Sequence, residues 1–502
     1  MVIRMLVGTS NLTKNMDSAC VTELEIPLIV MMENAVNAAI KNLDTDKNDS
    51  YTVVCGVGNN GGDGLGIARK LIVLGKKVDV FLVGKKEKLT DCSSINFKIL
   101  ENMGENLQFI DDKNKFILES SIKNTDICVD AIFGTGLKRD IVGIFADVVE
   151  IMNNCSKKIY SIDISSGLDS DTGEIKNVAV KSDKTISFEF YKRGFLSYSA
   201  DDYTGEIVVE DIGVPKFIKE KFHNDEFIID KNEIYKFIRR REKNAHKGNF
   251  GRVSIIGGSR GFYGAAKIAI ESAVKTGSGL VTLISDKDVQ EKLCTVFTEA
   301  MTVDYSEEER VKNLIKNSNA IGIGPGMGDN KKTLKILKDI LDFAKCPVVI
   351  DADGINCLKN NKDILKNTNL NTLITPHPAE LSRITGFSVD YINKNRIDSA
   401  KEAAKNLKTI VLLKGNRTVI TDGYKTYINM TGNSAMANGG MGDCLTGIIT
   451  SLVGQGISLF EAAVVGAYIH GYIGDKIYEK KYTVNASDII EKIPYIMKEF
   501  EL

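Results

Sequence analysis

An apolar run ends in Gly56-Val57-Gly58-Asn59-Asn60-Gly61-Gly62-Asp63-Gly64, and a second glycine-rich stretch reads Asn438-Gly439-Gly440-Met441-Gly442-Asp443. Each stretch leads into an apolar run with helical spacing, so each predicts a turn that opens a helix. The bare backbone N–H groups at a helix N-terminus attract anions, and glycine lets a ligand approach them closely. Two such stretches, one in each half of the chain, predict two active centres that act on related phosphorylated molecules.

The composition indicates a globular enzyme with more than one domain. A chain of 502 residues is too long for one hydrophobic core, so two or three domains are expected. The net charge of −1 gives no electrostatic case for nucleic acid or a membrane as a partner. The longest apolar stretches are far shorter than the roughly 20 residues of a membrane helix, and no signal-peptide pattern opens the chain. Nine scattered cysteines without a C-x-x-C pair indicate reduced thiols and a cytoplasmic protein.

The first half of the chain alternates strand-like and helix-like patterns. Residues 17–43 have helical spacing, and six apolar runs typical of buried strands follow at residues 52–56, 78–83, 127–133, 159–164, 185–190 and 207–212. This alternation predicts a parallel sheet with helices on both faces, a Rossmann-like three-layer domain. The segment 215–247 is rich in charge and contains no glycine, so we place a domain boundary near residues 215–235.

Residues 56–61 match the dinucleotide-binding pattern G-x-G-x-x-G, but that pattern is weak alone. The acid expected about 20 residues later is poorly placed, because Asp79 lies inside the next predicted strand. Asn59, Asn60 and Asp63 are polar groups that a plain Rossmann turn does not need. The alternative is a capped turn, in which these side chains satisfy backbone N–H groups.

Carboxylates follow two further predicted strands, at the sheet edge where α/β proteins bind ligands. Asp130 opens the sequence Asp-Ala-Ile-Phe-Gly-Thr-Gly, and Asp163 opens Asp-Ile-Ser-Ser-Gly. A carboxylate at the end of a buried strand needs a partner or a cation. Asp130, Asn60 and Ser166 all supply hard oxygen donors, which could share a monovalent ion.

These motifs, together with Met32-Glu33-Asn34-Ala35, resemble in type and order the YjeF N-terminal family of NAD(P)H-hydrate epimerases, over residues 10–215. The resemblance implies an epimerase domain at residues 1–215 that binds K⁺ through Asn60, Asp130 and Ser166, with Asp163 as its catalytic residue. It also implies hydrate contacts from Asn59, Asn60, Gly61, Gly62, Asp63, Gly134, Thr135, Gly136, Leu137, Lys138, Arg139, Asp140 and Asp163. The chain departs from the family at Val36, where glycine is usual, and at Ser165, where proline is usual.

The second half repeats strand-like runs, which end in Gly324-Pro325-Gly326-Met327-Gly328, Asp351-Ala352-Asp353, Thr375-Pro376-His377-Pro378-Ala379-Glu380 and Lys414-Gly415-Asn416-Arg417-Thr418. It contains no Walker loop, because Gly264 is followed by Ala265. The helix predicted after the second glycine stretch would point its N–H groups at an anion. Asp443 beside it can accept a proton from an attacking hydroxyl, which suits phosphoryl transfer to an alcohol.

Four residues of this half also have a structural interpretation. Asp443 could be a first-turn acid that only stabilises the helix dipole. Lys414 is placed to meet nucleotide phosphate, or is a solvated lysine. His377 lies between two prolines and is a candidate ligand contact, or a capping or surface histidine, and Glu380 is more simply a helix cap than a metal contact.

The motifs His-Lys-Gly at residues 246–248, G-P-G-M-G, T-P-H-P-x-E, K-G-x-x-T and N-x-G-x-G-D resemble the ribokinase-like YjeF C-terminal family of ADP- or ATP-dependent NAD(P)H-hydrate dehydratases. The resemblance implies a ribokinase-like α/β domain at residues 235–502 that uses ADP and Mg²⁺, with Asp443 as its catalytic residue. It implies hydrate contacts at Ala265, Gly326, His377 and Asp443, and nucleotide contacts at Lys414, Gly415, Asn416, Arg417, Thr418 and Gly442. Met441 stands where threonine is frequent.

The sequence therefore predicts an α/β protein, a cytoplasmic homo-oligomer that acts on the NADH and NADPH hydrates (NADHX and NADPHX). Two alternatives remain. The chain could be a ribokinase-like small-molecule kinase fused to a nucleotide-binding module, in which case a phosphorylated product would accumulate. The N-terminal half could instead be a nucleotide-sensing or interaction module without catalysis. The presence of Asn60, Asp130 and Asp163 together argues against that module, because binding alone needs no buried pair of acids.

Overall fold

The chain folds into two units, each built around its own sheet. The computed structural model describes residues 5–369 and 371–501. The division falls between Asn224 and Asp225, inside the charged segment of the sequence. Within the described residues, every helix falls short of the length and apolarity that a membrane crossing demands. All nine cysteines are free thiols, and Cys444, next to Asp443, is fully buried.

The N-terminal sheet has seven strands, all parallel. In spatial order they are Leu107–Ile110, Lys77–Val83, Ser50–Cys55, Ile127–Ala131, Ile159–Ile162, Lys184–Phe188 and Glu206–Glu210. One hydrophobic core covers each face of this sheet, so the three-layer prediction is confirmed. The sequence analysis missed the strand Leu107–Ile110, because its residues Leu-Gln-Phe-Ile make a short and partly polar run at the sheet edge.

The order of the strands places a crevice at the centre of this sheet. After Ser50–Cys55 the chain adds strands outward on one side, and it then returns to Ile127–Ala131 on the other side. The segments that follow these two strands therefore diverge, and such a switch point is where open α/β sheets bind ligands. Asn59, Asn60 and Gly134 all lie in these two segments.

The helices of this unit are Ser10–Leu24, Leu28–Ile40, Asn59–Val73, Asp91–Asn102, Lys115–Asn124, Ile144–Cys155, Asp201–Thr204 and Lys216–Phe222. The predicted helix at residues 17–43 is in fact two helices. Glu25 adopts φ +55° and Pro27 caps the second helix, because proline cannot continue a helix from its interior. A separate parallel pair joins Val7–Gly8 to Tyr191–Lys192, which fixes the start of the first helix beside Lys192.

The C-terminal unit is built on ten strands. In spatial order they are Glu226–Ile228, Thr426–Asn429, Thr418–Thr421, Ile410–Leu413, Thr372–Ile374, Val348–Ile350, Ala320–Ile323, Arg252–Ile256, Leu280–Ser285 and Met301–Asp304. The sheet is parallel except where Thr418–Thr421 runs against both of its neighbours. We expected this domain from residue 235, and the strand Glu226–Ile228 joins its sheet earlier, by pairing with Thr426–Asn429.

The helices of this unit flank the sheet, as expected for an α/β domain. They are Lys231–Ile234, Tyr263–Thr276, Lys287–Leu293, Glu308–Asn317, Lys331–Phe343, Ala352–Asn356, Asp363–Asn367, Pro378–Thr385, Val389–Lys394, Arg396–Leu407, Met441–Gly454, Leu459–Tyr478 and Ala486–Glu499. The helix predicted after the second glycine stretch begins inside that stretch, at Met441, so Gly442 and Asp443 lie in its first turn.

Candidate active sites

The first glycine stretch forms the opening turns of a helix rather than a loop before it. The helix Asn59–Val73 starts at Asn59, so Gly61, Gly62 and Gly64 are helical. A side chain at Gly61 would overlap the carbonyl oxygen of Gly56, and one at Gly62 would meet Ser93 Oγ at 2.5 Å. These glycines therefore let the helix pack closely on its surroundings, which leaves the ligand-facing role to the polar side chains between them.

The predicted cation ligands lie in one buried region. Asp130 is fully buried and its Oδ1 accepts a hydrogen bond from Ser166 Oγ at 2.6 Å, while its Oδ2 accepts from the Ser166 N–H at 2.8 Å and from Ser161 Oγ at 2.7 Å. Asn60 is 8% exposed, yet neither its Oδ1 nor its Nδ2 has a hydrogen-bond partner. A buried amide without hydrogen bonds is costly, so the Asn60 side chain has unused donor and acceptor capacity that suits it to bind a ligand.

Asp163 is held tightly at the same edge of the sheet. Its backbone has φ +66°, an uncommon conformation for a residue other than glycine, and its N–H donates to the Ile186 carbonyl at 2.7 Å. Its Oδ1 lies 2.9 Å from the Nζ of Lys192, whose side chain is completely buried. A Cβ at Gly134 would lie 3.3 Å from the Asn60 Cβ and 3.5 Å from the Asp163 Oδ2, so Gly134 lies between these two side chains.

A cavity of about 1210 Å³ opens over these residues. The predicted hydrate contacts that line it are Asn59, Asn60, Asp63, Gly134, Thr135, Gly136, Leu137, Lys138, Arg139 and Asp163. Gly61, Gly62 and Asp140 are not among its lining residues, the first two because they pack inside the helix and Asp140 because it is exposed beyond the rim. A cavity of this size can accommodate much of a dinucleotide.

In the C-terminal unit, Asp443 lies in the first turn of Met441–Gly454. Burial and the charge of Asp351 raise the pKa of Asp443 to about 6, although Lys414 acts in the opposite direction. A carboxyl group with a pKa near neutrality can accept and release a proton at physiological pH. The helix start places backbone N–H groups beside this carboxyl group, which is the arrangement that the predicted anion site and base would need.

Lys414 is bound to a buried carboxylate that the sequence analysis noted only as a strand end. Its Nζ lies 2.7 Å from Asp351 Oδ1, and Thr375 and Thr446 donate their hydroxyl protons to the same carboxylate at 2.7 and 2.8 Å. Burial opposes the charge of Lys414, but Asp351 and Glu380 outweigh it and raise the pKa of Lys414. A Cβ at Gly442 would lie 3.2 Å from Lys414 Nζ, so this ammonium group sits directly beside the helix start.

His377 has the capping role that was its structural alternative. It caps the helix Pro378–Thr385, where its Nδ1 accepts from the Ala379 and Glu380 N–H groups, and Glu380 accepts from the His377 N–H at 2.8 Å. Its side chain is 46% exposed, and burial and Lys414 lower its pKa, so the ring is neutral at physiological pH. Capping uses Nδ1 and leaves Nε2 for a ligand, so both roles are compatible.

The other predicted contacts of this unit fall into two places. Gly326, at φ +65°, packs against Ala265, because a Cβ there would lie 3.0 Å from the Ala265 Cβ. Residues 414–418 form the turn between the antiparallel strands Ile410–Leu413 and Thr418–Thr421, with Thr418 Oγ1 donating to the Gly415 carbonyl at 2.9 Å and Arg417 at φ +57°. Asn416 and Arg417 belong to the same turn.

Sequence reasoning assigned no function to Lys192, Asp17 or Asp351. Asp351 carried a signal, the Asp-Ala-Asp pattern after a predicted strand, which resembles the strand-end signal that identified Asp130. Lys192 and Asp17 gave no such signal in the sequence. They come close together because Val7–Gly8 pairs with Tyr191–Lys192, and these two strands are more than 180 residues apart in the chain.

Comparisons with known proteins agree with both halves. A family model described as NAD(P)H-hydrate dehydratase matches residues 253–495, and one described as YjeF-related protein N-terminus matches residues 28–194. The bifunctional NAD(P)H-hydrate repair enzyme of Moorella thermoacetica is 33% identical over 506 residues, covering 97% of this chain and 95% of its own length. That of Dictyoglomus turgidum is 32% identical and covers 99% of both chains.

Two solved structures bear on the C-terminal unit. The ADP/ATP-dependent NAD(P)H-hydrate dehydratase from Bacillus subtilis, co-crystallized with ATP and Mg²⁺, is similar at a TM-score of 0.50 and 29% identity, covering 55% of this chain and 98% of that chain. A ribokinase-like superfamily protein from Enterococcus faecalis is similar at a TM-score of 0.51 and 28% identity, covering 56% of this chain and 98% of that chain, which confirms the ribokinase-like prediction. Since relatives above 30% identity align over nearly the whole length, this chain belongs to the family of bifunctional NAD(P)H-hydrate repair enzymes.

Proposed function

We propose that the protein restores hydrated NADH and NADPH in two steps, one in each unit. The N-terminal unit interconverts the R and S epimers of the hydrate. The C-terminal unit dehydrates the S epimer with ADP and releases NAD(P)H, AMP and phosphate. The observation that carries the proposal is Asp443, a carboxyl group with a pKa of about 6 in the first turn of a helix, beside the Lys414 ammonium group.

The chemistry explains why a nucleotide is needed. The hydrate carries a hydroxyl on the ring carbon beside the nitrogen, and hydroxide leaves poorly. Asp443 would accept the proton of that hydroxyl as its oxygen attacks the terminal phosphorus of the nucleotide, while the helix N–H groups and Lys414 stabilise the phosphoryl charge. Phosphate then leaves with the C–O bonding pair, the ring nitrogen donates its lone pair, and loss of a proton from the neighbouring carbon gives the dihydronicotinamide.

The two units differ in the side chains that they offer to a metal ion. In the N-terminal unit, the orphaned Asn60 amide, the Asp130 carboxylate and the Ser166 hydroxyl fit a large monovalent cation, and we propose that they hold K⁺, which would order the surrounding segments. In the C-terminal unit, no group of three or more acidic, histidine or cysteine side chains among the described residues could hold a metal by itself. That fits Mg²⁺, which would arrive with the nucleotide phosphates and keep several waters.

The test supplies both epimers of NADHX with ADP, Mg²⁺ and K⁺, and follows the recovery of reduced-nicotinamide absorbance alongside chromatography of the epimers. We expect both epimers to disappear and AMP to appear in equal amount to NADH. A parallel reaction with ATP decides the nucleotide preference. A phosphorylated product that accumulates without NADH would instead identify a small-molecule kinase. The cytoplasmic location and the homo-oligomeric state stay predictions.

A further inference from the structure

A fully buried lysine faces the proposed catalytic residue of the N-terminal unit. The Nζ of Lys192 lies 2.9 Å from Asp163 Oδ1 and donates to the Phe188 carbonyl at 2.9 Å. Taking an ammonium group out of water is expensive, so a buried lysine persists where a paired charge and hydrogen bonds hold it. This ion pair fixes the direction of one Asp163 oxygen and leaves Oδ2 on the side of Gly134.

Asp17 and Asp63 are two of the other carboxyl groups that line the same cavity. Asp17 comes from the helix Ser10–Leu24 and Asp63 from the helix Asn59–Val73, and both line the cavity with Asp163. The pairing of Val7–Gly8 with Tyr191–Lys192 brings the helix of Asp17 to this place. The charge of Asp163 acts on both Asp17 and Asp63, and a like charge nearby makes ionisation of a buried carboxyl group less favourable.

The surroundings of Asp17 and Asp63 raise the pKa values of both carboxyl groups. Burial and the charge of Asp163 raise the pKa of Asp17 to about 6, with Lys192 acting against them and Glu189 adding to them. Burial, Asp163 and Asp17 raise the pKa of Asp63 well above its usual range. The nearby Glu189 forms an ion pair with Lys219, whose Nζ lies 2.5 Å from its Oε2. These raised pKa values favour the protonated forms of Asp17 and Asp63 beside the Lys192–Asp163 ion pair.

We propose that Lys192 is a positioning residue that orients the Asp163 carboxylate as the proton acceptor, and that Asp17 is a second catalytic residue that donates a proton to the hydrate. This inference rests on the proposed epimerase function. Asp17 protonates the departing hydroxyl, the C–O bond breaks with its electron pair on oxygen, and water leaves. The ring nitrogen lone pair forms a C=N bond, so the carbon becomes planar.

Return of water completes the exchange. Asp163 takes a proton from a water molecule that adds to the opposite face, its oxygen forms the new C–O bond, and the C=N π pair returns to nitrogen. One water leaves, one enters, and one proton has moved from Asp17 to Asp163. A proton passed back between the two carboxyl groups restores the enzyme, which is what an acid pair in one cavity permits.

The experiment uses the full-length protein and measures epimer interconversion by chromatography. The variants are Lys192→Met, Lys192→Arg and Asp17→Asn, with Lys184→Met as the matched control. Lys184 is also largely buried, at 13% exposure, and pairs with Asp44 at 3.2 Å, but does not line the cavity. ADP-dependent dehydration of the accepted epimer reports on the other unit in each variant, and circular dichroism reports on folding.

We expect Lys192→Met and Asp17→Asn each to lower the epimerase kcat about 10²-fold or more, with KM for the hydrate within about threefold of wild type. Lys192→Arg should recover at least about tenfold over Lys192→Met, because it restores the charge. Lys184→Met should stay within about twofold. A folded Lys192→Met variant that changes only KM overturns the positioning role, and wild-type kcat in Asp17→Asn overturns the donor. Failure of the wild-type protein to interconvert epimers would contradict the proposed function instead.

Discussion

Asp351 and Asp443 of the C-terminal unit are both buried, but their pKa values shift in opposite directions. Burial raises the pKa of Asp351, but the Lys414 ammonium group 2.7 Å away and two threonine hydroxyls outweigh it, so its pKa is lowered. Asp443 lacks such a direct partner, and burial with the charge of Asp351 raises its pKa to about 6. The surroundings therefore favour the charged form of Asp351 and allow Asp443 to exchange a proton. Such a difference lets one site contain an ion-paired carboxylate and a titrating carboxyl group.

A pH profile tests the role of Asp443. A base must be ionised to act, so the dehydratase kcat/KM for the hydrate should rise with pH through a midpoint of about 6, because burial and Asp351 raise the pKa of Asp443 to that value. The measurement is the rate of NADH recovery from the accepted epimer between pH 5 and pH 8. Asp443→Asn should lower that rate about 10²–10⁴-fold and remove its rise with pH, while epimerisation continues.

The matched control for this profile is Asp342→Asn, at an exposed position of the helix Lys331–Phe343. It should leave the rate and its pH dependence in place. A dehydratase rate in Asp443→Asn within about threefold of wild type would rule out Asp443 as the base.

At the scale of elements, the two helices Tyr263–Thr276 and Met441–Gly454 approach each other unusually closely. A Cβ at Gly447 would overlap the Ala269 carbonyl oxygen and lie 2.8 Å from the Ser272 Cβ. This approach seats the second helix, which carries Asp443 in its first turn. The position of the Asp443 carboxylate therefore depends on a glycine one helical turn further along the same helix.

Substitution of Gly447 should therefore destabilise the C-terminal unit. Alanine normally favours a helix over glycine by up to about 1 kcal/mol, but here its methyl group meets backbone that cannot move away. We expect Gly447→Ala to lower the free energy of unfolding by about 1–3 kcal/mol, measured as a lower Tm by calorimetry. Gly264→Ala, in the first turn of Tyr263–Thr276 with nothing within 4 Å of its Cβ, should leave Tm unchanged or raise it. Equal Tm values for the two variants would contradict the close-packing argument.

Residue patterns predicted the strands and their polar ends because both signals are local. Asp130, Asp163 and Asp443 each stand next to a run of apolar residues that marks a buried element. The same reasoning failed for Glu226–Ile228, since three residues inside a charged segment show no periodicity and owe their strand to pairing with Thr426–Asn429. It failed for Lys192 as well, because a lysine's burial depends on a partner that sequence spacing does not reveal.

At the scale of the whole molecule, each unit has its own sheet and site, so each should work without the other. Asp163→Ala should repair the directly accepted epimer and stall, and Asp443→Asn should interconvert epimers without producing NADH. An equimolar mixture of the two variants should then convert both epimers completely, because the hydrate can diffuse between molecules. The measurement is epimer chromatography over time. A mixture that stalls where Asp163→Ala alone stalls would show that the hydrate must pass within one molecule.

The burial of Cys444 has a consequence for the durability of the dehydratase site. This thiol follows Asp443 directly, and burial raises its pKa to about 12, so the reactive thiolate is almost absent at neutral pH. Oxidants and alkylating agents act on the thiolate, so they should spare this position. Among the residues that the structure describes, the exposed thiol belongs to Cys294. The position next to Asp443 is thereby protected from oxidation and alkylation, and Cys294 is an accessible site for attaching a fluorophore to the folded protein.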